Sequence, residues 1–331
     1  MKIVLLHTAD AVEPPPVDPV LDQLMTAIRS LGHTVEPIVV DHEENAVDRL
    51  AASLRRFAPD LVFNVAESFG GKSALESNVA ALLNLLGVKY TGSSPAGLLL
   101  AGDKTLTKKV LRFHGIQTPE FATIYRGALD WAGNLQFPVI VKPPQEDASL
   151  GISSSSVVRE LKDLFARIDQ LQAEYQQPVL VEQFIEGREF YVGVLGNVSA
   201  EALPIMELDF SGFPPDIPRI ATWEAKWGDN GEGTGAQFAG TRSLFPTELD
   251  EELGERMQAV ALEAFRALRL RDYGRIDLRV SESGEIYVIE VNPNCYLERE
   301  SEFARAARQD GLEYEALIGR IIDLARARYS R

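Results

Sequence analysis

Cysteine is almost missing from this sequence. Its 331 residues include one, Cys295, which excludes an intrachain disulfide, and no Cys/His grouping has the spacing of a zinc site. Long apolar runs are missing as well: none approaches the ~18 residues that span a bilayer. The opening MKIVLLHTAD is too short an apolar run for a secretory signal and has no small-residue cleavage site, so a cytoplasmic location is expected. Positive charge is in deficit, 33 Lys and Arg against 49 Asp and Glu, a net −16. That excludes a general nucleic-acid binder, which needs a basic face to displace counterions. An anion can be held only by a few placed lysines working against the background field.

What is present is ordinary globular sequence, 45% hydrophobic and 25% charged, in a chain long enough for two or three domains. Over residues 1–93 the apolar runs at 2–7, 34–40, 60–65 and 88–92 alternate with helical spacing at 17–31, 44–57 and 74–86. This pattern predicts an N-terminal doubly wound parallel-sheet domain of α/β class. The turn after its first strand, HTADAVEPPPVD, has no glycine, so a G-x-G-x-x-G dinucleotide site is not expected. A second unit, 94–185, holds a helix at 103–115, strands at 121–125, 137–142 and 178–184, and a helix at 159–175. A third, 186–331, holds strands at 188–196, 200–209, 273–281 and 285–292, a helix at 248–269 and further helices from about 300. Its 211–243 stretch, rich in glycine and poor in apolar residues, is long enough to read as a lid or binding loop.

GRIDLRVSESGEIYVIEVNPN, 274–294, reads as a β-hairpin with alternating apolar and polar faces and a two-residue turn at Ser283-Gly284. That turn sets Asp277 opposite Glu290 and Arg275 opposite Asn292. Two carboxylates directly opposed repel one another. With an amide oxygen beside them they form an oxygen-only donor set suited to Mg²⁺ shared with phosphates. A solvated hairpin face with no ligand explains the same residues equally well. Other candidates are weaker singly. Lys142 ends the apolar strand FPVIVK, and Lys104 opens a helix that Asp103 would cap. EDASLGISSSS, 146–156, could wrap phosphate with backbone N–H groups or be a plain connector. PVLVEQFIEGREF, 178–190, could join two domains or be a hinge against which a purine lies, with Glu189 on the ribose.

In order along the chain, LLGVKYTGS, GDKTLTKKVLRFHGIQTPEF, VIVKP, VLVEQFIEGREF and IEVNPN together resemble the ATP-grasp superfamily, and within it the D-alanine–D-alanine ligase family. The resemblance implies a three-domain ATP-grasp architecture with ATP between the second and third units. It implies that Lys104 and Lys142 contact the ATP phosphates, under a loop carrying Ser149 and Gly151. It further implies that Glu182 and the backbone of Gln183 and Ile185 read adenine while Glu189 binds ribose. Asp277, Glu290 and Asn292 would hold two Mg²⁺ ions, with Mn²⁺ able to substitute. Arg275 would steady charge on an acyl intermediate, and Lys226 of WEAKW (223–227) would reach the γ-phosphate when a lid closes. The expected activity is an ATP-dependent carboxylate–amine ligase acting on small molecules, with family habit favouring a homodimer. A phosphotransferase on the same scaffold is the alternative.

The likeness breaks at the amino-acid pocket. The family's glycine-rich first turn becomes HTADAVEPPPVD, with Glu13 a displaced substitute for its amine-binding glutamate. Its HG-x-x-GEDG segment becomes AESFGGKSALES (66–77), its lid tyrosine Trp227, and its loop serine Ala148. The glycine after the metal asparagine gives way to bulk in NCYLERES, although Ser301 keeps its place. A product other than D-alanyl-D-alanine is therefore expected. Cys295 could line that pocket, although a free cysteine more often packs as a small hydrophobe.

Overall fold

The computed structural model describes residues 1–8, 19–40, 44–125, 128–132, 134–146, 151–175, 178–214, 217–221 and 241–330. The first unit is built from β1 (Lys2–Thr8), α1 (Pro19–Ser30), β2 (Thr34–Val40), α2 (Ala46–Phe57), β3 (Leu61–Val65) and α3 (Glu76–Leu85). Its strands are parallel in the order β2-β1-β3. Four successive residues of β1, Ile3 to Leu6, are fully buried, as a strand covered on both faces requires. Ile3 and Leu5 face α1, while Val4 and Leu6 face α2 and α3, so the sheet is doubly wound. The strand expected at 88–92 is reduced to one parallel bridge, Val62 to Tyr90. Beyond it the Thr91 hydroxyl replaces a main-chain partner for Asn64 N–H, and the chain turns at Gly92 (φ +87°). Only glycine fits there, because a Cβ would lie 2.4 Å from Asn294 Oδ1.

Two short helices follow, α4 (Pro95–Ala101) and α5 (Lys104–Phe113). The first is an addition to the sequence reading, although its start was written there: Ser94 caps it and Pro95 takes the first helical position. Asp103 caps α5 as expected, accepting from Thr105 N–H and Leu106 N–H at 2.9 and 3.0 Å. This sets Lys104 and Lys108, one turn apart, on a single face.

The second sheet comprises β4 (Phe121–Tyr125), β5 (Ala128–Ala132), β6 (Val139–Lys142), β7 (Val157–Val158) and β8 (Val179–Gln183), antiparallel in the order β5-β4-β8-β6-β7. Helix α6 (Leu161–Tyr175) covers one face, burying Val139, Val141, Val179 and Val181. The alternation of β6 and β8 therefore turns Lys142 and Glu182 to the other face.

The third sheet comprises β9 (Gly187–Gly196), β10 (Glu201–Ala202), β11 (Met206–Asp209), β12 (Arg242–Leu244), β13 (Asp272–Ser281) and β14 (Ile286–Asn292). It is antiparallel in the order β12-β11-β9-β13-β14, with β10 on β9. The run expected as one strand at 200–209 is thus divided between β10 and β11. Helix α7 (Glu251–Ala267) covers one face and buries Phe190, Val192, Ile276, Leu278 and Val280. The opposite face carries Glu189, Arg275, Asp277 and Arg279. Helices α8 (Glu302–Gln309) and α9 (Tyr314–Arg328) complete the chain. No helix among the described residues is long and apolar enough to cross a membrane.

Candidate active site

The open face of the second sheet looks across a cleft at the polar face of the third. Lys142, Glu182, Gln183, Ile185, Glu189, Asp277 and Glu290, all singled out in the sequence, line this one cleft. Apolar side chains of Pro119, Ile140, Phe184, Ile220 and Ile289 fill the wall between the charges. The structure thus brings together residues that lie up to 148 positions apart in sequence (290 − 142).

The hairpin β13–β14 pairs Asp277 with Glu290 and Arg275 with Asn292, as the sequence reading predicted. The route to that register differs. Ser281 N–H donates to Glu285 O and Gly284 (φ +79°) closes the loop, so three residues, 282–284, form the turn. The ladder beside the turn is therefore one residue out of step with the prediction. A bulge at Ile289, where the register shifts between Asp277 and Leu278, restores the step. It also breaks the predicted alternation of β14. Val288 and Val291 both enter the core under α7, and Ile289 and Glu290 both line the cleft.

Each acid has a basic partner. Arg275 Nε and Nη2 donate to the two oxygens of Asp277 at 2.7 and 2.9 Å, and Nη1 donates to Glu302 at 3.3 Å. The same guanidinium lies 4.5 Å from the centre of the Tyr191 ring. Burial works against its charge, yet Asp277 and Glu302 raise its pKa well above the ordinary value. Asn292 Nδ2 donates to Asp277 Oδ2 at 3.1 Å. Lys104 Nζ stands 2.9 Å from Glu290 Oε1 and donates to Glu146 O at 2.6 Å. Among the described residues no three His, Cys, Asp or Glu side chains gather to hold a metal. The oxygen donors present are two carboxylates and an amide, a set that fits a hard cation with further positions left for phosphate and water.

Glu182 is held differently. Lys108 and Lys142 stand 3.3 and 3.1 Å from its Oε1, and the carboxylate is 2% exposed. Neither ammonium is aligned for a directed hydrogen bond, and Oε1 is a buried acceptor without a hydrogen-bond partner among the described residues. Burial opposes the carboxylate's charge, but the two lysines outweigh it and hold the carboxyl below its ordinary 4.5. Burial pushes the Lys108 ammonium down to about 8 against the pull of Glu182. Two cations surround one anion here, which leaves positive charge over for a phosphate.

The remaining expectations fall as follows. Gln183 N–H is taken by Glu120 O at 2.7 Å, and Ile185 O accepts from Arg279 Nη1 at 3.4 Å. Gly151 sits at φ +73°, its carbonyl fixed by Arg167 Nη2 at 2.7 Å, and a Cβ would meet the Pro143 ring at 2.9 Å. Ser301 caps no helix N–H with its side chain; its hydroxyl donates to Tyr296 O at 3.1 Å. Cys295 packs in the core and burial pushes its thiol up to about 12. Glu13, Ala148, Ser149, Lys226 and Trp227 lie outside the described residues.

Three neighbours went unassigned in the sequence. Lys108 was legible, four residues after Lys104 on the same helical face. Arg279 was legible as part of the polar face of β13 but carried no role there. Glu302 had no local signal, since it reaches Arg275 only through tertiary packing.

Two antiparallel sheets facing each other across a cleft lined by a lysine, carboxylates and apolar side chains are the architecture of an ATP-grasp protein. The D-alanine–D-alanine ligase of Bacillus anthracis in complex with ATP shares this fold over the whole chain, with a TM-score of 0.74, 22% identity and 99% of that chain covered. Residues 110–323 match the family described as D-ala D-ala ligase C-terminus. The chain is 31% identical over 298 residues to the D-alanine–D-alanine ligase of Aquifex aeolicus, covering 89% of this chain and 91% of that one. It is 34% identical over 276 residues to the corresponding ligase of Saccharophagus degradans, covering 82% and 79%. A protein of Sinorhizobium fredii described as uncharacterized, y4sG, is 33% identical over 325 residues, covering 96% and 90%. The chain belongs to the D-alanine–D-alanine ligase family, whose members are ATP-dependent ligases that form C–N bonds with the help of a divalent metal ion such as Mg²⁺.

Proposed function

We propose that this enzyme activates a small carboxylate as an acyl phosphate and transfers the acyl group to an amine, on a substrate pair other than two D-alanines. The observation that carries the reading is the apposition of Asp277 and Glu290, with Asn292 next to Asp277 and Lys104 paired to Glu290, in the cleft that also holds Lys142 and Glu182. Phosphoryl transfer asks chiefly for positioning and charge neutralisation, and these are the groups for both. The bound divalent ion would supply charge neutralisation between the phosphates at Asp277, Glu290 and Asn292.

The chain's own residues do the rest. Glu182, which lines the cleft and is held by Lys108 and Lys142, marks the end where the purine would lie. Gln183 meets the base through its carbonyl, since its N–H is taken by Glu120 O, and Ile185 offers its N–H. Glu189 takes the ribose. Lys104 and Lys142 hold phosphate oxygens, beneath the loop of Ser149 and Gly151. A substrate carboxylate attacks the terminal phosphorus, releasing ADP; the amine then attacks the acyl carbon and expels phosphate. Arg275 faces the oxygen on which charge develops, and Lys226 joins the phosphate side. Two Mg²⁺ ions, Mn²⁺ as a substitute and a homodimer belong to the same reading and rest on the family resemblance, and the cytoplasmic location expected from the sequence goes with it.

A changed substrate is supported where the amino-terminal unit meets β14. Glu76, from the rewritten 66–77 segment, accepts from Asn294 Nδ2 at 3.4 Å, and Tyr296 occupies surface near the same turn. The test is ADP and phosphate release from Mg-ATP over a panel of amino acids and small carboxylates, with hydroxylamine as trap and Glu290→Gln as control. The expected result is carboxylate-dependent ADP, a hydroxamate, and loss of both in the variant. A stable phosphorylated product without hydroxamate would instead establish a phosphotransferase, and D-alanyl-D-alanine as the best product would refute the changed pocket.

A further inference from the structure

Arg279 has no part in the chemistry above, yet it lines the cleft at 4% exposure and lies over two rings, 5.4 Å from the centre of Phe184 and 5.6 Å from that of Phe210. A guanidinium taken out of water must have its N–H groups met, or it destabilises the fold. Here Nε and Nη2 both donate to Glu189 Oε2, at 3.1 and 2.7 Å. Nη1 donates to Ile185 O and Gly187 O, each at 3.4 Å, and Nη2 also donates to Arg219 O. One side chain therefore ties together the hinge before β9, the acid on β9, and the strand-free stretch whose next residues, Ile220 and Ala221, line the cleft.

The arrangement sets what Glu189 has left to offer. A carboxylate has about four acceptor sites. Arg279 fills both on Oε2, and the Tyr191 hydroxyl donates to Oε1 at 3.0 Å. Among the described residues one site remains, on Oε1, and Glu189 lines the cleft. We propose that Arg279 is a positioning residue that fixes Glu189 with a single open acceptor, so that the cleft reads one hydroxyl of the nucleotide's ribose and not two. This rests on the reading of Glu189 as the ribose ligand. A lysine could not replace the fork, because one ammonium cannot reach Oε2 and the carbonyls of residues 185, 187 and 219 together.

The experiment is calorimetric titration of Mg-ATP, Mg-2′-deoxy-ATP and Mg-3′-deoxy-ATP onto the full chain, which needs no knowledge of the other substrates. For the wild type, one deoxy nucleotide should bind ~10-fold weaker than ATP, the effect of losing one charge-assisted hydrogen bond, and the other within about threefold. Glu189→Ala should remove the preference. Arg279→Met and Arg279→Lys should both lose the discrimination between the two deoxy nucleotides, which then bind within about threefold of each other because a freed Oε2 can meet the second hydroxyl. The lysine variant retains the buried charge and decides the matter if the methionine variant does not fold. If both Arg279 variants weaken all three nucleotides by a common factor, Arg279 is a structural residue and the inference fails while the role of Glu189 stands. Equal weakening of both deoxy nucleotides in the wild type would overturn the single acceptor site. A wild type that binds all three alike, with Glu189→Ala without effect, would overturn the ribose reading together with the inference.

Discussion

Glu182 shows how a single buried acid can be kept charged. Burial opposes its charge, and the ammonium groups of Lys108 and Lys142 make ionisation favourable. Because its folded pKa lies below the ordinary 4.5, its contribution to stability is complete above that pH and is lost as pH falls through the folded value. In Glu182→Gln the acid limb of the stability curve should be shallower than in the wild type, as read by urea unfolding between about pH 3 and 7. At neutral pH the variant should lose about 3–5 kcal/mol, since it leaves two buried lysines uncompensated. An unchanged acid limb would show that Glu182 is not ionised in the native state. At this scale the sequence was informative about chemistry and poor about partners. Lys142 and Glu290 stood out as charges on otherwise apolar strands. That Glu182 would be shared by two lysines, or Arg275 by Asp277 and Glu302, depends on which elements meet, and no local pattern carries that.

At the scale of elements the hairpin is the instructive case. Alternation along β13 correctly divided Ile276, Leu278 and Val280 from Arg275, Asp277 and Arg279. The turn was misjudged by one residue and the bulge at Ile289 was not foreseen, and the two errors cancel at Asp277 and Glu290. A bulge has no sequence signature as plain as an Asn-Gly turn, so pairing at the far end of a hairpin is legible only when the intervening ladder is regular. Helix α4 was missed for a different reason: seven residues are too few for an apolar period to show, and only its cap announced it. Gly187, at the joint between β8 and β9, makes a prediction here. At φ +147° it lies against the opposite strand, and a Cβ would fall 2.0 Å from Val280 O. Gly187→Ala should cost about 1–3 kcal/mol or more in thermal unfolding and weaken Mg-ATP in calorimetry, because Gly187 O and Ile185 O share the Arg279 guanidinium. A variant as stable as the parent would mean that the strand can begin from another backbone geometry.

In the whole molecule, Asp272 joins what the sequence presented as separate units. It is fully buried at φ +63° and accepts from Gly92 N–H at 2.8 Å, Asn197 Nδ2 at 3.0 Å, and Arg328 Nε and Nη2 at 2.9 and 2.7 Å. Arg328 Nη2 also reaches Tyr90 O at 3.0 Å. The end of α9 is thereby fastened to the first unit and to β13 at one point. Arg328→Ala should lower unfolding free energy by about 3–5 kcal/mol in denaturant titrations, the effect of leaving a buried carboxylate without its cation. A loss under about 1 kcal/mol would mean that Gly92 and Asn197 suffice for Asp272.

The first unit and the third sheet share one continuous core, in which Ile3, Leu5 and Phe63 pack with Tyr191, Phe303 and Ile318. The second sheet keeps a core of its own under α6, while Leu111 of α5 packs with the third sheet. Among the described residues the packing therefore falls into two groups, one on each side of the cleft. Lys142 and Glu182 stand on the smaller group, and Lys104, Lys108, Asp277, Glu290 and Asn292 on the larger. The ion pair from Lys108 to Glu182 and the bond from Lys104 to Glu146 O bridge that seam, so two lysines of one short helix fasten one wall of the cleft to the other.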